Sequence, residues 1–259
     1  MKRIICIGDS HASFFSGMDR IQPEYPCPAK NMIQALESVR LGPVLAYSLH
    51  KNGTTNKGRE KLFEKIRECD RDTSSILFCF GEIDCRNHLL KQSEENKRSL
   101  EDVVGECVAK YFDVILEIKN MGFEVLVWNV IPTSSLNQNP EYPHYGSHVQ
   151  RNRCTRYFNS YLGEYCRKNG IVFIDIFDKL VRRDNHTREY FFFDGIHLGQ
   201  LAMPYFIGRI KRSHPYVTIK LGRKISLFFS FLKTCTIYYL RKVKNLGKSS
   251  SNFFSLNKI

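Results

Sequence analysis

The sequence lacks the patterns of a metal-binding, disulfide-linked or nucleotide-binding protein. Its nine cysteines form no CxxC pair and none of the regular spacings of a zinc site, and it has no P-loop or GxGxxG motif. The odd number of cysteines, several of them inside apolar runs, is typical of reduced thiols that pack as small hydrophobic side chains. We therefore expect no cofactor and no bound metal ion.

The N-terminus lacks the apolar core of about 7–15 residues that marks a signal peptide, and MKRIICIGDS instead has the pattern of a buried strand. Together with the reduced thiols, this predicts a cytoplasmic protein. The composition, 42% hydrophobic and 25% charged over 259 residues, excludes wholesale disorder and suits one α/β domain with an appendage.

Acidic residues are missing from the end of the chain. Asp194 is the last of them, and residues 209–259 hold 12 Lys and Arg, whereas residues 1–208 hold 27 basic and 26 acidic residues. The main body is therefore nearly neutral and need not bind a polyanion. No nucleic-acid-binding motif is recognisable, so no nucleic-acid partner is expected.

A largely apolar run with basic ends, residues 225–240, lies in this basic part. The run includes Lys233 and is shorter than the ~20 residues that span a bilayer. A basic amphipathic C-terminal helix of this kind favours an anionic surface, so residues 223–248 are predicted to bind the inner face of the membrane. A helix that packs on its own domain or on a second subunit is the alternative. The sequence thus predicts one domain over residues 1–212 and a C-terminal extension over residues 213–259. The end of this extension, residues 249–259, is expected to be disordered.

Short, mostly apolar runs alternate with segments of helical periodicity. The runs, typical of strands buried on both faces, are residues 3–7, 38–41, 75–80, 123–131 and 171–176. Helices are expected over residues 57–69, 100–121, 149–168 and 200–211, and another is expected to begin at Gly42 and Pro43. This alternation predicts a three-layer α/β/α fold with a parallel five-stranded sheet and right-handed crossovers.

Polar residues follow three of these strands, at the edge where ligands bind in open parallel sheets. Residues 8–11 (GDSH) come after the first strand, residues 81–86 (GEIDCR) after the third and residues 194–197 (DGIH) beyond the fifth. A serine hydroxyl becomes a nucleophile only when a base takes its proton. Ser10 and His197 are therefore the predicted nucleophile and base.

Further residues complete this predicted site. Asp194, three residues before His197, would hold the imidazole in the tautomer that accepts the serine proton. The backbone N–H groups of Ser10 and Gly42 are candidate donors to the oxyanion. Asp9 is a candidate for oxyanion or substrate binding, with local capping of the turn as the ordinary alternative.

These motifs resemble those of the SGNH (GDSL-type) hydrolases, a superfamily of esterases, lipases and carbohydrate O-deacetylases with a flavodoxin-like α/β/α fold. Residues 8–10 match its nucleophile block, Gly42 the oxyanion glycine of its second block, and residues 194–197 its DxxH block. The GDSHA form, residues 8–12, is similar to SGNH domains that accompany membrane acyltransferases acting on surface polysaccharides. The resemblance extends over residues 2–212 and implies a serine esterase site.

One block departs from that family. Its third block reads G-x-N-D and uses the Asn amide as an oxyanion donor, whereas this chain reads GEID, with Ile83 in place of the Asn. Loss of one oxyanion donor typically lowers the rate by about 10²–10³-fold. Arg86, on the same loop, is a candidate to replace that donor or to bind an acidic substrate group. The alternative is an ion pair with Glu82 or Asp84 that only shapes the loop.

The loop after the fourth strand is rich in Tyr and His and is predicted to form a wall of the substrate cleft. Tyr142 is a candidate for stacking on a sugar face, and Trp128 is expected in the core. His144 and His148 lie four residues apart, but the Pro and Gly residues around them predict a loop and not a metal site. His11 is expected to be structural or solvated.

The predicted function is a serine-dependent ester hydrolase that acts on an O-acyl group, such as the O-acetyl group of a carbohydrate. Ser10 would attack, His197 would transfer the proton and Asp194 would orient His197. Two alternatives stay open. One is an O-acyltransferase for a surface polysaccharide that uses the same site. The other is an inactive module that binds a glycan in the same cleft, for which Ile83 is the main support.

Overall fold

The structure of the protein is a computed structural model that describes residues 2–135, 141–218 and 236. In these ranges it has five strands: β1 (Arg3–Gly8), β2 (Leu36–Arg40), β3 (Ser74–Cys79), β4 (Glu124–Trp128) and β5 (Val172–Ile174). The α-helices of the same ranges are α1 (Gly58–Arg67), α2 (Leu89–Glu95), α3 (Leu100–Asn120), α4 (His148–Lys168), α5 (Phe177–Leu180) and α6 (Met203–Ile210). Shorter 3₁₀ segments cover Ser10–Ser16, Ala46–Ser48, Glu189–Phe191 and Gln200–Ala202, and a π-helical turn covers Asp84–His88.

The five strands form one sheet in the order β2-β1-β3-β4-β5. Every neighbouring pair is parallel. Gly8 at the end of β1 lies level with Arg40 of β2 and with Cys79 of β3. The segments that follow these three strands therefore begin at one edge of the sheet. The predicted α/β fold with a parallel five-stranded sheet is confirmed.

Helical segments cover both faces of the sheet. On one face, Ile5 and Ile7 of β1 belong to a large buried cluster that includes side chains of α1, α3 and α4. On the other face, the ring of Trp128 has its centroid 5.4 Å from that of Phe206 in α6 and 5.6 Å from that of Phe15. Because side chains alternate along a strand, both faces need apolar residues, which explains the continuous apolar runs. Trp128 is in the core, as predicted.

The predicted strands and helices agree with the structure to within three residues at their ends, apart from one region. The helix predicted to begin at Gly42 and Pro43 is wrong, because this part of the chain forms only the 3₁₀ turn Ala46–Ser48. The physical reason is a long-range contact: the Ala46 and Tyr47 backbone N–H groups donate to the carboxylate of Asp84 at 2.8 and 3.2 Å. The short helices α2 and α5 were not predicted.

The first compact unit of the chain runs from Met1 to Thr218. His214 and Val217 are buried in it, and His214 Nε2 lies 3.3 Å from Glu124 Oε1. Packing of this unit thus continues past residue 212, where the sequence suggested a domain boundary.

The predicted basic C-terminal helix and the predicted disordered end fall within residues 219–259. Apart from Thr236, these residues lie outside the described part of the chain. The amphipathic helix therefore stays a prediction. Among the residues that the structure does describe, no helix is long and apolar enough to cross a bilayer.

Candidate active site

A turn that requires glycine places Ser10 at the edge of the sheet. A Cβ atom on Gly8 would stand 2.1 Å from the Cys79 carbonyl oxygen, so only glycine lets β1 and β3 approach this closely. Asp9 then caps the 3₁₀ helix that begins at Ser10, because its Oδ1 accepts a 2.8 Å hydrogen bond from the His11 backbone N–H. Ser10 is thereby held, half-buried, as the first residue of that helix.

Asp194 holds His197 against Ser10. Its Oδ1 accepts hydrogen bonds from the backbone N–H groups of Ile196 and His197 at 2.9 and 2.7 Å. Its Oδ2 lies 2.7 Å from His197 Nδ1, and His197 Nε2 lies 2.9 Å from Ser10 Oγ. When Nδ1–H donates to the carboxylate, Nε2 is the ring atom left to accept the serine proton. The structure thus brings the three predicted residues within hydrogen-bonding distance of one another.

Burial and neighbouring charges favour a neutral His197 ring. Burial lowers the pKa of His197 and outweighs its hydrogen bond to Asp194; the charge of His11 lowers the pKa further, so that it lies below the usual 6.5. For Asp194, burial alone would raise the pKa, but the hydrogen bond and charge of His197 lower it overall. At neutral pH the pair is therefore a carboxylate and a neutral imidazole, the state in which a base accepts a proton.

Gly42 follows β2 beside the turn that carries Ser10. The Leu41 backbone N–H donates to the Gly8 carbonyl at 2.8 Å, which keeps the two segments adjacent. Gly42 has a φ of +100°, a conformation that favours glycine, and a Cβ there would meet the Glu24 carboxylate at 2.8 Å. The backbone N–H groups of Gly42 and Ser10 stay the candidate oxyanion donors.

The Asp84 carboxylate ties the segment after β3 to the segment after β2. The same hydrogen bonds that shorten the helix after Gly42 hold Asp84 in place. Burial raises the pKa of Asp84, although these two backbone N–H donors oppose the rise. Ile83, half-buried, directly precedes Asp84, so an apolar side chain stands at the start of this segment.

Arg86 forms an ion pair with Glu82, which is the second of its two predicted roles. Its Nε lies 2.9 and 3.0 Å from the two carboxylate oxygens of Glu82, and another guanidinium nitrogen donates to the Pro143 carbonyl. Burial alone would raise the pKa of Glu82, but Arg86 and His11 lower it to about 2. Arg86 therefore fastens Glu82 and the loop at Pro143, and in this way it shapes the wall of the site.

Asp9 is buried in the turn that precedes Ser10. Its side chain is fully buried, one carboxylate oxygen caps the turn, and burial raises its pKa to about 7. The candidate role in oxyanion or substrate binding stays a prediction. Local capping, the ordinary alternative for a Gly-Asp-Ser turn, is the role that the contacts show.

Three aromatic rings pack around His197. The ring centroids of His11, Tyr142 and Phe193 lie 4.8, 5.5 and 5.9 Å from that of His197. Tyr142 belongs to the loop predicted to wall the cleft, and its contact agrees with that prediction. His11 is buried, not solvated. Sequence reasoning assigned neither His11 nor Phe193 to the site, and the only signal for each was a place next to a predicted catalytic residue.

Another histidine of that loop, His148, contacts His186. His148 is the first residue of α4, and its Nε2 lies 2.9 Å from Nδ1 of His186. Within residues 2–135, 141–218 and 236, no group of three or more His, Cys, Asp or Glu side chains is arranged to hold a metal ion. The residues that the structure brings together at the site are Ser10, His197 and Asp194.

No family model matches the chain, and no curated protein is similar to it in sequence. Among solved structures, its fold is similar to that of a Streptococcus pneumonia protein provisionally described as a platelet activating factor, with 14% identity, a TM-score of 0.53 and coverage of 82% of this chain and 83% of that one. An acetylxylan esterase from Geobacillus stearothermophilus matches with 13% identity, a TM-score of 0.50 and coverage of 85% and 97%.

A GDSL-like lipase from Bacteroides thetaiotaomicron has a TM-score of 0.46 with 14% identity, and the match covers 84% of this chain and 89% of that one. At such identities the likeness of the first two structures shows the fold alone. The chain shares the fold of these two proteins, which agrees at the level of the fold with the resemblance that its motifs predict.

Proposed function

We propose that this protein is a serine-dependent ester hydrolase. The observation that carries the proposal is the hydrogen-bonded chain from Ser10 Oγ to His197 Nε2, at 2.9 Å, and from His197 Nδ1 to Asp194 Oδ2, at 2.7 Å. A nucleophile, a base and an orienting carboxylate within hydrogen-bonding distance are what acyl transfer to a serine needs. The lowered pKa of His197 supports the same assignment, because the neutral ring is the active base.

The reaction proceeds in two halves. Ser10 Oγ attacks the acyl carbonyl carbon while its proton passes to His197 Nε2, and Asp194 stabilises the imidazolium that forms. The backbone N–H groups of Ser10 and Gly42 bind the oxyanion. The C–O bond of the ester then breaks, and the leaving alcohol takes the proton from His197. In the second half His197 takes a proton from a water molecule, which attacks the acyl-serine. The bond between the acyl carbon and Ser10 Oγ then breaks, His197 returns the proton to Ser10 Oγ, and the acid leaves.

The substrate of this proposal is a small O-acyl ester, such as an O-acetylated carbohydrate. Support comes from the aromatic rings of Tyr142 and Phe193, which pack beside His197 and offer apolar faces of the kind on which sugar rings stack. One protein of similar fold is an acetylxylan esterase. Release of acetate from acetylated oligosaccharides, compared with release from short-chain phospholipids, tests this assignment; preference for the phospholipid would contradict it.

The experiment that tests the enzyme uses a fluorophosphonate probe, which labels only an activated serine. We expect the wild-type protein to be labelled and Ser10→Ala to remain unlabelled. Ser93→Ala is the matched control, because Ser93 is half-buried on α2, as Ser10 is on its own turn, and its hydroxyl donates to the Arg98 carbonyl. If folded wild-type protein is not labelled, the enzyme proposal fails and the half-buried Ile83 favours the inactive glycan-binding module.

Hydrolysis and transfer differ in what resolves the acyl-serine. In a time course with an acyl donor, we expect the free acid to form at the same rate with and without a glycan acceptor. Acylated glycan as the main product would instead identify the protein as an O-acyltransferase for a surface polysaccharide.

We further propose that the protein works in the cytoplasm and that residues 223–248 bind the anionic inner face of the membrane. The support is the sequence pattern, an apolar stretch flanked by Lys and Arg in a part of the chain that has no acidic residue. The full chain should co-sediment with anionic vesicles and lose this binding at high salt. Replacing Arg241, Lys242, Lys244 and Lys248 together with Gln should have the same effect. If the wild-type protein and the Gln variant co-sediment equally with the vesicles, or if residues 223–248 instead mediate self-association, the membrane proposal is contradicted.

A further inference from the structure

A second histidine lies against the catalytic one. His11 follows Ser10 in the chain, and its side chain is 5% exposed. The centroid of its ring is 4.8 Å from that of His197, with 37° between the two planes. The reaction proposed above assigns His11 no step. Because so little water can enter between two rings at this distance, a charge on His11 acts strongly on His197.

Glu82 provides His11 with a buried carboxylate. His11 Nε2 lies 3.2 Å from Glu82 Oε2, and the Glu82 side chain is 6% exposed. Arg86 holds the same carboxylate through its Nε, so Glu82 cannot turn away from the site. An opposite charge within this distance favours the protonated form of an imidazole. Like His197 beside Asp194, His11 thus has a ring nitrogen next to a carboxylate oxygen, at 3.2 Å as against 2.7 Å.

The charged groups that face His11 come from three parts of the structure. Glu82, and to a smaller extent Asp9, favour its protonation, whereas burial and the charge of Arg86 oppose it. On balance the pKa of His11 is raised, while that of His197 is lowered. The groups that act on His11 are Asp9 on the same turn, Glu82 and Arg86 after β3, and His197 before α6. Asp194 pairs with His197, and Arg151 on α4 acts on Glu82.

We propose that His11 and Glu82 form a second imidazole–carboxylate pair that keeps a positive charge against the His197 ring and thereby favours the neutral, proton-accepting form of His197. His11 is in this view a positioning residue, because it acts on the substrate only through His197. The proposal rests on the proposed function for its meaning in catalysis. The interaction between the two rings can be measured without any turnover.

The consequence is a base that works at lower pH. Asp194 binds the protonated His197 and, acting alone, would keep it protonated to higher pH. The charge on His11 opposes this and returns His197 to the neutral form. The second pair therefore sets the pH at which Ser10 can be activated, and Asp194 can still orient the ring.

The direct test is a pH titration of the histidine ring signals by NMR in the full-length protein. Comparison with His11→Gln and His197→Gln identifies the two resonances. In the wild-type protein we expect His11 to lose its proton at higher pH than His197. If His197 loses its proton at the higher pH in the wild-type protein, the proposal is overturned.

Two substitutions then separate charge from packing. In His11→Gln the midpoint of His197 should rise by roughly one pH unit, because the neighbouring charge is gone. In His11→Lys, which keeps a positive charge beside Glu82, the midpoint should stay near the wild-type value. An unchanged midpoint in His11→Gln, or an equal rise in both variants, would show that His11 is only a packing residue.

Enzyme kinetics add a readout that distinguishes the two proposals. If the fluorophosphonate labels Ser10, the acid limb of kcat/KM should move to higher pH in His11→Gln and not in His11→Lys. If the probe does not label the protein but the NMR midpoints shift as expected, the paired histidines stand and the hydrolase proposal fails. If the probe labels Ser10 but the midpoint of His197 does not change in His11→Gln, the hydrolase proposal stands and the proposed role of His11 fails.

Discussion

Ser10 Oγ and His197 Nε2 lie 2.9 Å apart although 187 positions separate the two residues in the chain. The contact forms because β1 ends at the same edge of the sheet to which the loop before α6 returns. Each of the two residues is also held by an aspartate. Asp9 caps the turn at Ser10, and Asp194 binds both the backbone and the ring of His197. The proposed catalysis depends on this rigid approach.

Asp194→Asn should lower kcat/KM for an ester substrate by about 10³–10⁴-fold. An amide in place of the carboxylate can donate to Nδ1, which leaves the proton on Nε2 and blocks uptake of the serine proton. The thermal unfolding midpoint serves to show that the variant folds. Asp178→Asn is the control, because that carboxylate is exposed on α5 and contacts Arg156. A loss below about tenfold would mean that Asp194 does not orient the base.

The pH dependence of kcat/KM should show one acid limb with its midpoint below 6.5. Burial lowers the pKa of His197, and the protonated ring cannot accept the Ser10 proton. Activity therefore rises with pH through that midpoint and levels off near neutrality. A substrate without titrating groups is needed for the measurement. A midpoint above 6.5 would show that another group controls the base or that the ring is charged at rest.

Ile83→Asn should increase kcat by about 10–100-fold, because an amide at this position would add an oxyanion donor that the isoleucine cannot supply. Ile83→Leu, which keeps the apolar character, should leave kcat within about twofold of the wild type, since volume is nearly conserved. Initial rates at saturating substrate check both. If the Asn variant gains nothing, the oxyanion of this protein is already fully bound by other groups.

Gly8→Ala should destabilise the fold by about 3 kcal/mol, because its Cβ would stand 2.1 Å from the Cys79 carbonyl and force β1 and β3 apart. Gly208→Ala is the matched control. Gly208 lies exposed in α6 with no atom within 4 Å of an added Cβ, so alanine should stabilise that helix by up to about 1 kcal/mol. Urea unfolding measures the free energy of unfolding of both variants. A Gly8→Ala protein as stable as the wild type would contradict the close contact between β1 and β3.

The sheet and the positions of Ser10, Asp194 and His197 could be predicted because each is marked by a short local sequence pattern. A parallel strand buried on both faces has a continuous apolar sequence, and the polar residues after it must gather at one edge of the sheet. Ser10, Asp194 and His197 belong to short motifs at such places. The arrangement of these residues in the structure agrees with that reasoning, while their catalytic roles are a proposal that the substitutions at Ser10, Asp194 and His197 would test.

The remaining features depend on contacts between distant segments, which no local pattern contains. The turn after Gly42 is not a helix because the Asp84 carboxylate, 38 residues from Ala46, binds the backbone N–H groups that would continue it. Likewise, the sequence predicts His11 to be structural or solvated, whereas in the structure it is buried with its Nε2 3.2 Å from Glu82 Oε2. The sequence alone does not show that two distant polar residues are buried in contact with each other.

The most direct test of the central claim is the rate at which a fluorophosphonate reacts with Ser10 in the wild-type protein and in His197→Gln. If the ring is the base for Ser10, its removal should slow the reaction by about 10³-fold or more. His50→Gln should react at the wild-type rate, because His50 bonds the Tyr47 carbonyl and does not contact Ser10. Mass spectrometry of the labelled peptide should place the adduct on Ser10. Equal rates in wild type and His197→Gln, or an adduct on another residue, would contradict the account.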